Sequence, residues 1–285
     1  MVRTDEAKLA RLAEEYEIGT GPLDWRAILA DANPAPDQTV ARALLCLSGI
    51  EADSQVIYRK IRDARIDRNP YLRRFILPWL EEEAAHGHSL RHLAYLMGAS
   101  EESPRRARYS RKDALVLWVL GRTMAPAVRA TYCVLGTMQE YIALTVYHEI
   151  ASMIPDKESQ LLLQSIARQE SRHMRFYRGA AEVLLKGPFV RGCTRWMLRQ
   201  TWRPPGLDLV DRSTFFQTFG FLLGASLFRD KLCRVDRTVS ALPGLNGLSL
   251  MSRWLDHRNI AQWDGRYRLR RRSLGGTNTG EGYHV

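Results

Sequence analysis

"LEEEAAHGHSL" occupies residues 80–90, and "RQESRHMRFY" occupies residues 168–177. Each places a glutamate and a histidine three apart: Glu83 with His86, and Glu170 with His173. Positions i and i+3 of a helix share a face, so each pair points a carboxylate and an imidazole the same way. The first stretch directly follows the apolar run Phe75-Ile76-Leu77-Pro78-Trp79-Leu80. Charge that close to apolar surface is costly unless something compensates it.

Each motif has a lone glutamate upstream in another apolar, helix-patterned segment. Glu51 lies in "LCLSGIEADSQVIY" and Glu140 in "VLGTMQEYIALTVY". Asn69-Pro70 and Ile154-Pro155-Asp156 are the joints between helices, proline being well suited to a first helical turn. Glu51 stands 18 residues before Asn69 and Glu83 stands 14 after it; Glu140 and Glu170 each stand 15 from Pro155. Helices joined by a tight turn run antiparallel at about 1.5 Å per residue, so residues equidistant from the turn lie at one height. Each half of the chain is therefore expected to be a helical hairpin with Glu opposite Glu-x-x-His. Two packed hairpins bring four glutamates and two histidines to one level of a four-helix bundle. Four buried carboxylates do not all stay ionised without compensation, and two divalent cations would neutralise them. One Glu from each of two helices and an E-x-x-H from each of the other two is the ligand pattern of ferritin-like di-iron sites.

Within "EEE", spacing selects Glu83; Glu81 sits about 160° around the helix at ~100° per residue. Asp53 competes with Glu51, whose apolar flanks place it on the core face. Glu149 competes with Glu140 but stands too near the turn. His88 and His92 form an i,i+4 pair that could bind zinc, though two polar histidines off the core face is the simpler reading. A plain bundle with incidental charges is the competing account of the whole set, and it conflicts with the rarity of unpartnered buried glutamate.

Outside these motifs, apolar residues recur at three and four through most of 38–185, which predicts an all-α fold. The expected helices cover about 5–17, 38–67, 70–98, 156–185, 189–200, 211–240 and 248–258, with helical material from about 111 to a helix end near 153 and a kink at Pro78. A single helical domain is expected over 1–272, followed by a disordered polar tail, 273–285, rich in glycine. The 285-residue chain is 45% hydrophobic and 26% charged, ordinary for a soluble globular protein. It has no run of apolar residues long enough to span a membrane and no signal-like start. Its four cysteines, Cys46, Cys133, Cys193 and Cys233, are scattered, which fits small buried hydrophobes in a reduced, cytoplasmic protein. The formal charge of +11, with basic runs at 59–74, 105–112 and 266–272, favours an acidic partner or a simple solvated face.

"EEAAHGHSL", "MQEYIA" and "RQESRHMRFYRGA" resemble segments of the soluble acyl-carrier-protein desaturases, in particular the actinobacterial type. The resemblance covers roughly residues 40–240. It implies a ferritin-like bundle with additional N- and C-terminal helices and two iron ions held by Glu51, Glu83, His86, Glu140, Glu170 and His173; a manganese/iron pair suits the same ligands. It also implies O₂-dependent desaturation of an acyl chain on an acyl carrier protein, a ferredoxin-type electron donor and a homodimer. Two positions depart from the family pattern: Ala143 stands where threonine is usual, and Gln169 where an acidic residue is usual. These departures open the alternative of a hydroxylase or other di-iron monooxygenase in specialised metabolism. A basic, non-enzymatic helical protein that binds nucleic acid is a further alternative, without a recognised binding motif.

Overall fold

The computed structural model describes residues 2–100, 109–205, 212–223 and 226–255. Every regular element among them is helical. The bundle is formed by α3 (Gln38–Ala52), α5 (Pro70–Leu96), α7 (Ala125–Met153) and α8 (Lys157–Leu184). Helix α3 packs along α5 and α7 along α8, the two expected pairings, although further helical segments stand between α3 and α5 in the chain; α5 meets α8 across the bundle. Helix α1 (Val2–Glu17) lies over α5 and α8, and the short α2 (Trp25–Ile28) follows it.

The turn residues read from the sequence act as caps. Asn69 accepts from the amides of Tyr71 and Leu72 at 3.0 Å each, and Pro70 takes the first helical position. At the second joint Asp156 is the cap, accepting from the Ser159 amide at 2.9 Å; Pro155 therefore lies just outside α8. Helix α5 continues through Pro78 without ending.

Before residue 185, two expected helical stretches are divided. The first breaks after Ala52, where the Asp53 amide turns back to the Ile50 carbonyl at 3.3 Å. Helix α4 (Ser54–Asp63) starts there, and a single 3₁₀ turn at Ile66–Arg68 leads to α5. The second breaks at Met124, between α6 (Arg111–Thr123) and α7. Pro126 has no N–H for the Arg122 carbonyl four residues back, so one continuous helix would leave that acceptor unmet. Gly121 on α6 permits its crossing over α4: a Cβ there would lie 2.3 Å from the Ala64 carbonyl oxygen.

Beyond the bundle, α9 (Gly187–Thr201) is anchored on α7 by buried Thr194, Met197 and Leu198. It is thus docked on the bundle. Helices α10 (Arg212–Leu223), α11 (Ser226–Ser240) and α12 (Leu250–Trp254) complete the described chain. Arg229 donates to the Leu223 carbonyl at 3.0 Å, and Lys231 pairs with Glu149 at 2.7 Å. The expected tail at 273–285, the basic run 266–272 and most of the run 105–112 lie outside the described residues. No described helix is long and apolar enough to cross a membrane. Cys46 and Cys133 are buried, while Cys193 and Cys233 are partly buried; all four are free thiols.

Candidate metal centre

All six residues singled out in the sequence meet inside the bundle, and all are buried. They form two groups whose ligand atoms lie within 4.8 Å of one another: Glu51, Glu83, His86 and Glu170, and Glu83, Glu140, Glu170 and His173. Glu83 and Glu170 belong to both. Two ions could therefore share these two carboxylates, with Glu51 and His86 completing one position and Glu140 and His173 the other.

The hydrogen bonds set which imidazole nitrogen faces the centre. Gln169 donates its amide N–H to the Gly21 carbonyl at 3.0 Å, which turns its oxygen toward His86. That oxygen lies 2.7 Å from His86 Nε2, so Nε2 carries the proton and Nδ1 is left to coordinate. His86 Nδ1 faces Glu170 Oε1 at 3.0 Å. The second ring repeats the arrangement with a charged acceptor: His173 Nε2 donates to Glu82 Oε2 at 2.7 Å. Its Nδ1 lies 2.9 Å from Glu170 and 3.2 Å from Glu83.

The donor set fits metal. Glu83 Oε1, His86 Nδ1 and Glu170 Oε1 are buried polar atoms without a hydrogen-bond partner. Lone pairs face lone pairs, an arrangement that needs either extra protons or cations between them. The proton-only account requires strongly displaced titrations. Burial, then the charges of Glu170 and Glu51, raises the Glu83 carboxyl; burial, then Glu170 and Glu83, raises Glu140. His173 is pushed up to about 10: burial opposes its charge, and the bonds to Glu170 and Glu82 outweigh it. Burial would raise Glu170 too, but His86 and His173 hold it below the usual carboxylate range. Two divalent ions relieve all of this with neutral histidines and ionised glutamates.

Three supporting residues were not singled out in the sequence. Glu82, fully buried, accepts from Tyr16 at 2.8 Å, the Gly21 amide at 2.9 Å and Arg172 at 2.8 Å, besides His173. Tyr16 comes from α1, so the N-terminal helix closes this side of the centre. Tyr147, on α7, donates to Glu51; it stands seven residues after Glu140, two helical turns along the same face, and that spacing was a usable signal. The rejected candidates lie elsewhere: Glu81, His88 and His92 are exposed, Glu149 pairs with Lys231, and Asp53 marks the α3–α4 break outside both groups.

A cavity of about 210 Å³ opens on Glu51, Glu83 and Glu140. Leu47 and Ile50 of α3, Ile142, Ala143 and Val146 of α7, and Trp79 of α5 wall it near the centre. Phe215, Phe219 and Leu222 of α10, Phe228 and Leu232 of α11, and Met251 and Trp254 of α12 cover it. The C-terminal helices, hard to read from sequence, thus roof the space beside the carboxylates.

Residues 48–181 match the family model for rubrerythrin. No curated protein and no solved structure matches the chain. The matched span holds all six site residues, the last five residues of α3, all of α5 and α7, and α8 apart from its end; α1 and the roof lie outside it. The helical bundle and the buried cluster within this span fit the ferritin-like di-iron class and a di-iron oxidoreductase.

Proposed function

We propose that the chain is a di-iron, O₂-dependent oxidase of an acyl chain carried on an acyl carrier protein, most simply introducing a double bond. The observation that carries this reading is the apolar cavity ending on Glu51, Glu83 and Glu140. It is smaller than the ~300–1,000 Å³ of common ligand pockets, which suits a slender alkyl chain better than a ring system. Aromatic and aliphatic walls exclude water and hold the chain against the carboxylate side of the centre. Glu51, Glu83, His86, Glu140, Glu170 and His173 would hold the ions. Glu82 and Gln169 orient the two imidazoles, and Tyr147 orients Glu51. When bound, a pair of ferrous ions supplies reductive activation of O₂; the donor set also admits a manganese/iron pair. The electrons would come from a ferredoxin-type donor, and the +11 charge favours acidic partners. The sequence resemblance to the carrier-protein desaturases supports the substrate, the donor and a homodimer.

Hydroxylation is the second reading, and Ala143 favours it. This residue lines the cavity one turn after Glu140 and offers no hydroxyl beside the centre.

The test begins with anaerobic loading of ferrous iron. About two irons per chain are expected, and a Glu83→Ala/Glu170→Ala variant should lose them. Carrier-bound acyl chains are then supplied with ferredoxin, reductant and O₂. Loss of two hydrogens by mass identifies desaturation, and gain of oxygen identifies hydroxylation. Ala143→Leu, which narrows the cavity, should bind iron normally and turn over poorly. A chain that takes up no iron, or that leaves every acyl substrate unchanged, would refute the reading.

A further inference from the structure

A second concavity, of about 770 Å³, lies on the other side of α4. Six arginines line it: Arg59 and Arg62 of α4, Arg65 and Arg68 around the 3₁₀ turn, Arg73 of α5 and Arg122 of α6. Its carboxylates are Asp63 and Asp67, and Asp63 already accepts the Tyr109 hydroxyl at 2.7 Å. None of the six guanidiniums forms a salt bridge with a described acidic residue. Arg122 stacks on Trp118, its guanidinium 3.6 Å from the ring centre. Its pKa lies below the ordinary guanidinium value, first from desolvation and then from facing Arg65 and Arg68. Like charges are gathered into a hollow rather than spread over a face. Hollows of one sign focus field and collect counter-ions, and the planar guanidinium fork matches phosphate oxygens two at a time.

The groove and the apolar cavity share no lining residue but approach each other at α4. Lys60 lines the cavity, and its ammonium lies 6.0 Å from the ring centre of Tyr109, which lines the groove. Helix α4 thus stands between the arginine groove and the apolar cavity that opens on Glu51 and Glu140.

We propose that the arginine groove seats the phosphate group of a phosphorylated acyl thioester, whose chain crosses α4 beside Lys60 and enters the cavity. This assignment rests on the acyl-oxidase reading above and adds the chemistry of the substrate's polar end. Two sources share that chemistry, a free coenzyme thioester and the phosphate-bearing arm of a carrier protein.

The test uses the iron-loaded full chain in calorimetric titrations at low salt, comparing wild type with Arg62→Gln/Arg68→Gln/Arg122→Gln. These three side chains are exposed, so the fold should tolerate the changes, and unaltered helicity and iron content verify this. The probes are inorganic pyrophosphate, a long-chain acyl-coenzyme A, the same acyl group on a carrier protein, a long-chain alcohol and a DNA duplex. Pyrophosphate and at least one thioester should bind wild type at least tenfold more tightly than the variant, and less tightly as salt rises. The uncharged alcohol should bind both equally. Preference for one thioester then identifies the source of the phosphate. Equal thioester affinity in wild type and variant would overturn the groove while leaving the cavity and the centre intact. Pyrophosphate or DNA binding without thioester binding would also overturn it, and would implicate the acyl reading itself if the alcohol failed to bind as well.

Discussion

Replacing Glu82 by glutamine keeps the shape of the side chain and removes one acceptor oxygen. The Oε1 side receives the Gly21 amide at 2.9 Å and Arg172 at 2.8 Å, and neither can accept a hydrogen bond in return. The Oε2 side receives Tyr16 at 2.8 Å and His173 at 2.7 Å, and both of these can. The new amide must therefore turn its NH₂ toward Tyr16 and His173. His173 then accepts through Nε2 and moves its proton to Nδ1, the nitrogen aimed at Glu83 and Glu170. A protonated Nδ1 does not coordinate. Loss of a partner that orients a ligating histidine typically weakens metal binding 10–100-fold, about 1.4–2.7 kcal/mol. Competition of the apoprotein with a chromophoric chelator for ferrous iron, under anaerobic conditions, measures this directly. One of the two iron equivalents should weaken by that factor and the other far less, since His86 keeps Gln169. Affinities within twofold of wild type at both positions would refute the orienting role of Glu82.

Two further substitutions test the packing and the caps. In Gly136→Ala the new Cβ would meet three ring atoms of Tyr177 at 2.6 Å; that ring is buried, bonded to Tyr132 at 2.8 Å and edge-on to Phe75 at 4.7 Å. Overpacking of about 1–3 kcal/mol should follow, and an unchanged denaturation midpoint would contradict it. Asp156→Ala removes the cap of α8 and the bond to the Asn33 amide, at about 0.5–2 kcal/mol near neutral pH. Burial raises the Asp156 carboxyl, but the bonds from Ser159 outweigh it and hold its pKa below the usual value. The cap's contribution is therefore present above the unfolded-state pKa and fades as pH falls through the lower folded one. Wild type and variant should converge in stability in acid; a constant gap from neutral pH to acid would show that the charge does not contribute.

The hairpins and the six central residues were legible because both rest on helical periodicity and on distance from a turn, which the chain carries locally. Glu82 was not. It neighbours a ligand but is committed by Tyr16 and Gly21, more than sixty residues earlier, and no spacing within "EEE" reveals that pairing. The break after Ala52 was hidden for a similar reason: "IEADSQVIY" keeps helical composition across Asp53, and nothing local marks the end of α3. Pro126 did mark the division between α6 and α7, yet apolar periodicity on both sides reads as one helix. The roof formed by α10, α11 and α12 lacks motifs altogether; its meaning lies in the cavity it covers, which exists only once the bundle is assembled.

The placement of Tyr16 ties the hold on metal to the docking of α1. When α1 lifts away, Glu82 loses the Tyr16 hydroxyl and the chain that leads to Gly21, and the anchor behind His173 loosens. Linkage makes the coupling mutual: whatever favours a filled centre favours a docked α1 by the same free energy. Amide protons of α1 should therefore exchange more slowly in the iron-loaded protein than in the apoprotein, although no residue of that helix is among the six of the centre. The N-terminal helix would act as a latch whose opening sets how readily the bundle releases bound metal.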